Sequence, residues 1–446
     1  MKKKFAFLIN YGIEYRNFFL SGLSSEIVKK SDTVVFKRDI ESSNFEEYTE
    51  NFDLNIVNIN RSIFNKKRHR LENVFQSVRQ SRMRVKKIGI FKNYNAKTNK
   101  TGVKDYIKGN VFVYSMLKFL VLKQIRQHYA DNQIQDVLLK DNITDVIISG
   151  YSSTGSIAFA VNAMALDINV WILVNSWKDI YINEFIPFNP TGIFVWSNEM
   201  KENYLALNSH LKSEQIFATG NPIFDRFYQY SAKQSRNYYE KKYNIHESRA
   251  ILLYSMLDPD RYPEEIEVIK MIGDALVERY SEEVRPYILI RRNPFNESEH
   301  IVSYFKDHPC IRIADHYSQR DKVNDFFVQS IEGEDEWMDL LYYSSLNMGA
   351  ASTVALEAIM LKKPVITIAF DHLNKSSELL RTMADAPFYK AILEREDVSL
   401  VNNCNECVES VSAFIGEQKA LYKLPIILND DVGTAVENII TIMENK

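Results

Sequence analysis

Two hydroxyl residues and a carboxylate lie close together in Leu346–Ala369, LNMGAASTVALEAIMLKKPVITIA. Ser352 and Thr353 follow a small-residue turn after Gly349 and precede Val354, Leu356, Ala358, Ile359 and Leu361, which recur at helical spacing. Residues of this type cap helix N-termini, and their hydroxyls, with the free backbone N–H groups, converge on an anion. Glu357, about one turn into the helix, offers a carboxylate to ribose hydroxyls. An ordinary Ser/Thr-capped helix has the same pattern, so spacing alone leaves both roles open. A second group follows the first apolar run, in NYGIEYRNFF, where Gly12 and Glu14 fall at a strand's carboxyl end. Glu14 is a candidate general base; an acid favoured by a helix N-terminus is the alternative. A third is SGYSSTGS (Ser149–Ser156), a strand-to-helix turn whose Ser152 and Ser153 are candidate acceptor or phosphate contacts. Asp258-Pro259-Asp260 mimics a metal-binding DxD motif but contains a proline after a strand, and reads as a loop. Cys404 and Cys407 form a lone CxxC with no second pair and no histidine at ligand spacing, so no metal site is expected.

The elements that must position these groups alternate along the chain. KFAFLIN, TVVFKRD, LNIVNIN, VKKIGIF, DVIISGY, VWILVNS and GIFVWSN are strand candidates in the first half, separated by helical stretches. A long polar helix at Phe227–Tyr243 precedes a second series: AILLYSM, YILIRRN, IRIAD, SLNMG and PVITIAF. Strands alternating with helices predict parallel, doubly wound sheets. At 446 residues the chain has room for two such cores. The expected organisation is an N-terminal Rossmann-like domain over 1–225, a linker helix over 226–248, a second Rossmann-like domain over 249–430, and a helix over 431–446 that packs back on the first domain. The two domains are expected to face each other across a cleft.

A hydrophobic share of 46% with 25% charged residues is that of a soluble globular protein. The apolar part of MKKKFAFLIN is too short for a signal peptide and reads as a first strand. Three cysteines in a chain this long point to a reducing cytoplasm. The net charge of −3 conceals an asymmetry. Arg61–Arg126 holds 18 Lys and Arg against Glu72 and Asp105, a net +16, so the remainder carries −19. Such a block, with Lys66, Lys67 and Arg68 in its densest part, attracts phosphate-bearing partners. It runs into VFVYSMLKFLVLKQI (Val111–Ile125), either a core helix beside a solvated basic face or an interfacial helix with a polybasic region at an anionic membrane. No familiar nucleic-acid-binding module surrounds the charge, and nucleic acid is not an expected partner.

NSWKDI (Asn175–Ile180), IFVWSNEMKENYL (Ile193–Leu205), IFATGNPIFD (Ile216–Asp225), ILIRRNP (Ile288–Pro294) and MGAASTVALEAIMLKKPVI (Met348–Ile366) occur in an order that resembles bacterial GT-B glycosyltransferases of surface-polysaccharide synthesis. Their relatives include CDP-glycerol glycerophosphotransferases and UDP-N-acetylglucosamine 2-epimerase-like proteins. The resemblance covers Ile147–Ile366. It implies a metal-independent, inverting transferase that moves a sugar from a CMP-, CDP- or UDP-linked donor to a glycan or lipid-linked acceptor, with no further cofactor. A polyol-phosphate transferase and a 2-epimerase are the alternatives. The donor set it implies is Gly349, Ser352, Thr353, Glu357, Arg292, Asn293 and Ser255. Glu14 and Asp179 would be catalytic, and Gly12, Ser152, Ser153, Lys66, Lys67 and Arg68 would meet the acceptor or its phosphate. Two departures matter. Relatives often read Ser-Trp-Asp where this chain has Ser176-Trp177-Lys178, shifting Asp179 by one place, and they carry His-Pro where this chain has Asn293-Pro294. Asparagine hydrogen-bonds but carries no charge. Arg292, on an alternating strand with Arg291, either pairs with the diphosphate or forms a surface ion pair.

Overall fold

The structure is a computed structural model describing residues 3–39, 47, 49, 54–64, 66–86, 102–151, 153–182, 185–228, 230–293, 300–315, 318–321, 326–416 and 433–446. It divides into two compact units, Met1–Arg226 with Ile426–Lys446, and Phe227–Pro425.

The first unit is built on seven strands: β1 (Lys4–Ile9), β2 (Asp32–Arg38), β3 (Asn55–Ile59), β4 (Asp145–Ser149), β5 (Asn169–Leu173), β6 (Gly192–Val195) and β7 (Ile216–Ala218). They lie in the order β3-β2-β1-β4-β5-β6-β7, all parallel. Parallel strands covered on both faces read as unbroken apolar runs, and β4, β5 and β6 are buried almost throughout. The C-terminal helix, Ala435–Glu444, belongs to this unit and has no side-chain cap of its own. Asp225 supplies one: its carboxylate accepts from the N–H groups of Gly433 (3.1 Å), Ala435 (3.3 Å) and Val436 (3.0 Å). At the other end Lys3 Nζ donates to the Met443 carbonyl, and Lys30 pairs with Glu444 at 2.9 Å.

The second unit contains β8 (Ile251–Ser255), β9 (Tyr287–Arg291), β10 (Ile311–Ile313), β11 (Ser318–Asp321), β12 (Phe326–Gln329), β13 (Leu346–Gly349), β14 (Val365–Ile368) and β15 (Val398–Val401). Six form a parallel sheet in the order β10-β9-β8-β13-β14-β15, while β11 and β12 make a separate antiparallel pair. In both units the chain starts at the sheet's centre, winds to one edge, then returns to the other side of the first strand. The winding therefore reverses between β1 and β4, and again between β8 and β13. Crevices at such switch points, beyond the strands' carboxyl ends, are where open α/β sheets bind ligands.

Two expected elements differ. VKKIGIF is not a strand at its start, because Val85 and Lys86 end the helix Arg70–Lys86, whose first turn is secured by Glu72 accepting from the His69 N–H at 3.0 Å; residues 87–91 lie outside the described residues. The single helix expected at Phe227–Tyr243 is two, Pro222–Tyr228 and Arg236–Lys242. The cause is Asp339, fully buried on the helix Ile331–Tyr343. Its carboxylate accepts from Tyr230 Oη (2.6 Å), the N–H groups of Lys233 and Gln234 (both 2.8 Å) and Tyr239 Oη (2.8 Å). Backbone donors captured by a side chain are withdrawn from a helical ladder.

Asp225→Ala leaves the first turn of the Ala435–Glu444 helix without its acceptor. A stability loss of about 1–2 kcal/mol is expected, with faster amide exchange over residues 433–440. Unchanged exchange there would show that the carboxylate does not hold the helix.

Candidate functional site

The switch point of the second unit is set by a close approach. Gly349, at the end of β13, pairs with Ser255, at the end of β8. It has φ +154°, and a Cβ there would lie 2.5 Å from the Ser255 carbonyl oxygen. Glycine is therefore required by the neighbouring strand. Asn347 braces the same place, donating through Nδ2 to Ser255 Oγ at 2.8 Å and to the Leu253 carbonyl at 3.1 Å. The chain then turns through Ala350–Thr353 into a short helix, Val354–Met360. The expected caps are absent: Thr353 is already in the helical conformation, and its side chain makes no capping bond. The carbonyls of Ser352 and Thr353 accept from Ala355, Leu356 and Glu357. Among the described residues the hydroxyls of Ser352 and Thr353 and the N–H groups of Ser352, Thr353 and Val354 have no partner. A seven-residue helix adds little macrodipole, so the anion-binding capacity of this turn rests on those local donors.

Glu357 is buried, with Oε2 accepting from Trp337 Nε1 at 2.8 Å. The Arg291 guanidinium lies 4.2 Å from the Trp337 ring centroid, a cation–π contact. One carboxylate oxygen is thus committed to the protein rather than to ribose. Arg292 and Asn293 follow β9, half-buried, beside β8. The Asp258–Asp260 segment is a loop, with the Asp260 N–H donating to Asp258 Oδ1 at 3.0 Å. Glu265 holds the start of that loop, accepting from Tyr254 Oη (3.2 Å) and the Leu257 N–H (3.0 Å), and burial raises its pKa to about 8. Cys404 and Cys407 are buried on the helix Cys404–Gly416 with their pKa values raised by burial, so both remain thiols.

In the first unit, Glu14 does not face solvent. It is fully buried, and Oε2 accepts from the N–H groups of Asn10 and of Tyr11 (2.9 Å), closing the loop after β1. Burial raises its pKa to about 8. Gly12 is half-buried at the top of this turn. The chain continues as a π-helical turn, Arg16–Leu20, which turns Asn17 inward. Asn17 Nδ2 donates to Asn175 Oδ1 at 2.6 Å and lies 3.4 Å from Ser149 Oγ. Gly150 completes the crossing, with φ +79° and space for a Cβ only 2.9 Å from Asn175 Nδ2. Ser153 caps the helix Thr154–Ala165, accepting from the Ser156 N–H at 3.0 Å and from Asn10 Nδ2 at 2.7 Å, so its oxygen is spent on structure. Ser152 lies outside the described residues. Asp179 is half-buried beyond the end of β5. Its Oδ2 accepts from the Ser176 N–H at 3.1 Å, and burial raises its pKa to about 6.

Lys66, Lys67 and Arg68 precede the Arg70–Lys86 helix; Lys67 and Arg68 are exposed, and Lys66 lies 5.9 Å from the Tyr129 ring centroid. Beside them opens a pocket lined by Arg68, Phe75, Arg79, Val121, Tyr151 and Phe185 among others. The sequence reading missed it because its walls come from distant segments. The helix Val111–His128 buries Val121 and Ile125 against this pocket. Its outer side, with the helix Val103–Lys108, leaves Val103, Ile107, Phe112, Met116 and Phe119 in solvent; Phe112 is 73% exposed and Phe119 68%. Lys104, Lys108, Lys123 and Arg126 are exposed around them. No helix among the described residues is long and apolar enough to cross a membrane.

The chain matches no protein-family model and no curated protein. Solved structures do resemble it along its whole length. A UDP-GlcNAc 2-epimerase from Methanocaldococcus jannaschii is 16% identical, with a TM-score of 0.56 over 100% of both chains. One from Neisseria meningitidis bound to UDP-GlcNAc is 12% identical, with a TM-score of 0.56 over 99% of this chain and 100% of that one. A glycosyltransferase from Rickettsia africae is 11% identical, with a TM-score of 0.50 over 100% of this chain and 97% of that one. At these identities the likeness establishes the fold, which is GT-B with two Rossmann-like units.

The burial of Glu14 has a pH signature. Its folded pKa lies above the ordinary carboxylate value, so the folded state holds a proton that the unfolded state releases. Stability is then highest below the unfolded pKa and falls as pH rises from about 4.5 towards about 8. Glu14→Gln keeps an acceptor for the Asn10 and Tyr11 N–H groups and removes the titration. Urea midpoints measured at pH 5, 6.5 and 8 should fall less steeply for this variant than for wild type. Parallel profiles would mean Glu14 titrates normally.

Proposed function

We propose that the protein is a glycosyltransferase that takes a sugar from a nucleotide-sugar donor and passes it to a lipid-linked or glycan acceptor at an anionic membrane surface. The observation that carries the donor half is the turn after β13, where two hydroxyls and three N–H groups with no partner among the described residues stand at the switch point of a parallel sheet. Diphosphate oxygens suit such donors. The N. meningitidis structure, of the same fold, holds UDP-GlcNAc, and a uridine nucleotide is the first donor to test.

In this reading the acceptor hydroxyl attacks the anomeric carbon as the bond from that carbon to the donor phosphate breaks. The departing electron pair stays on phosphate oxygen, where the Ser352–Val354 donors stabilise it, and a single displacement inverts the anomeric centre. A general base must take the hydroxyl proton, and Asp179 is a carboxylate of the first unit with a pKa suited to that role. Its pKa of about 6 leaves it ionised at neutral pH and close enough to the working range for proton transfer. Glu14, fully buried with a pKa of about 8, is protonated under the same conditions and is assigned to holding the β1 loop.

The acceptor half rests on the apolar, lysine-rimmed face of Val103–Lys108 and Val111–His128. Apolar side chains ringed by basic ones are the two signals that hold a protein on an anionic leaflet. The protein would then work as a peripheral enzyme at the cytoplasmic side of the membrane, in cell-envelope polysaccharide synthesis. A 2-epimerase would share the fold and the donor turn. It has no use for an acceptor-bearing membrane face, and it would convert the donor sugar to its 2-epimer with no acceptor present.

Thermal-shift screening with CMP-, CDP-, UDP- and GDP-linked sugars should identify one donor class. Ser352→Ala should then weaken binding of that donor about fivefold or more, equivalent to about 1 kcal/mol for a lost bond to a charged oxygen. Unchanged affinity would remove the β13 turn from the donor site.

Replacing Phe112 and Phe119 together by Ser should lower partition onto phosphatidylglycerol vesicles tenfold or more, because each ring contributes about 2 kcal/mol when it leaves water. The melting temperature should not fall, since both side chains are solvent-exposed. Equal co-sedimentation of variant and wild type would contradict membrane docking through this face.

A further inference from the structure

The amino edge of the second sheet carries a tyrosine surface, opposite the edge where the turn after β13 lies. Tyr342 and Tyr343 end the helix Ile331–Tyr343 just before β13, and Lys363 stands just before β14. The helix Arg236–Lys242 brings Tyr238 and Tyr239 to the same place. With Tyr230 these rings form one continuous chain. Ring centroids lie 5.1 Å apart for Tyr238–Tyr239, 6.3 Å for Tyr239–Tyr343, 5.2 Å for Tyr342–Tyr343 and 5.8 Å for Tyr230–Tyr342. Inner rings are anchored by their hydroxyls, Tyr230 and Tyr239 on Asp339 and Tyr343 on the Gln234 carbonyl at 2.9 Å. The outer two are not. Tyr238 is 44% exposed and Tyr342 40%, and neither hydroxyl has a partner among the described residues.

The charge beside these rings is one-sided. Lys363 Nζ lies 5.7 Å from the Tyr342 ring centroid. Burial and then the nearby Arg236 guanidinium lower its pKa to about 8, so it stays mostly charged at neutral pH. No carboxylate among the described residues pairs with it. Lys233 and Lys241 are exposed close by, also without an ion pair among the described residues, and Lys241 neighbours Tyr238 on the helix. The carboxylates that act on the rings, Asp339 and Glu336, are buried and bonded within the protein. Rings held at the base and bare at the tip, beside ammonium groups without counter-ions, suit a partner that is flat-faced and anionic. A pyranose offers a C–H face to each exposed ring, hydroxyls to the tyrosine oxygens and, in an acidic sugar, a carboxylate to the lysine. A nucleic acid strand needs a continuous cationic track for its phosphates, whereas among the described residues one amine, Lys363, meets the exposed rings.

We propose that this surface binds an acidic polysaccharide chain, with sugar rings on Tyr238 and Tyr342 and a sugar carboxylate at Lys363. The inner tyrosines fix the outer ones in place, so little order is lost when the glycan docks. The surface holds polymer and takes no part in the transfer itself. The inference deepens the proposed function by giving its glycan acceptor a charge class and a point of attachment. It rests on that reading for the acceptor role, though not for the binding.

The test is calorimetric titration of the full chain with oligogalacturonate, with maltoheptaose as an uncharged glycan, and with polyglutamate and poly(U) RNA as other polyanions. Wild type is compared with Tyr342→Phe, Tyr342→Ala and Lys363→Gln, each checked by circular dichroism and melting temperature. Oligogalacturonate should bind at least about tenfold more tightly than maltoheptaose. Tyr342→Ala and Lys363→Gln should each weaken it about fivefold or more, while Tyr342→Phe, which keeps the ring, stays within about twofold of wild type. Polyglutamate and RNA, which the basic Arg61–Arg126 block of the first unit attracts, should not respond to Tyr342→Ala. Should that variant melt early, Tyr238→Ala makes the same test from the other helix. Oligogalacturonate binding that ignores both alanine variants would overturn the proposal. So would affinity for maltoheptaose equal to that for oligogalacturonate, or an equal loss of polyglutamate or RNA binding in Tyr342→Ala. Donor titrations in the same proteins separate the two readings. Glycan binding without nucleotide-sugar binding keeps the surface and removes the transferase, and the converse removes the surface alone.

Discussion

The second unit depends on how closely the ends of β8 and β13 approach. A Cβ at position 349 would meet the Ser255 carbonyl oxygen at 2.5 Å, so only glycine lets the two strands run together to their last residues. That contact fixes where β13 ends, and hence where the chain must turn. The turn then leaves five hydrogen-bond donors at Ser352–Val354 with no acceptor among the described residues. Buried polar brackets hold it from both sides: Asn347 to Ser255 beneath it, and Glu357 to Trp337 behind it. Donors with no acceptor among the described residues, beside neighbours already held in place, are the arrangement of a preorganised binding site, because the ligand need not order what the protein has already fixed.

The first unit solves the same topological problem with different chemistry. Its switch point is closed by amides and hydroxyls that satisfy one another: Asn10 with Ser153, and Asn17 with Asn175. Glu14 closes the loop from within and is neutralised by burial. Where the second unit offers donors, this one offers a half-buried aspartate, a basic pocket and an apolar helix face. The two units share a fold while differing in what their carboxyl edges present.

Strands with unbroken apolar runs were legible in the sequence. KFAFLI, DVIIS, ILLYS and YILIR are strands because both of their faces are covered, and burial on both faces leaves no polar position to obscure the pattern. The short strands β7, β11, β12 and β15, of three or four residues each, were not among the expected strands, although β6, β10, β13 and β14 are as short and were. The break in the Phe227–Tyr243 helix was not legible, since its cause, Asp339, lies about a hundred residues away and acts through four hydrogen bonds. For the same reason Ser352 and Thr353 could be located but their missing caps could not. The bond from Trp337 Nε1 that holds one oxygen of Glu357 likewise has no signature in the sequence. The pocket, assembled from residues between Arg68 and Pro187, leaves no local signature.

The central claim is that the turn after β13 is where the nucleotide sugar's phosphates bind. Hydrogen–deuterium exchange of the full chain, with and without a saturating nucleotide-sugar donor, tests it most directly, because the amides of Ser352, Thr353 and Val354 have no acceptor among the described residues and should exchange fast in the free protein. The account predicts that donor slows exchange at those three amides more than anywhere else in Phe227–Pro425. Donor binding that protects other segments and leaves them exchanging at the free rate would contradict it.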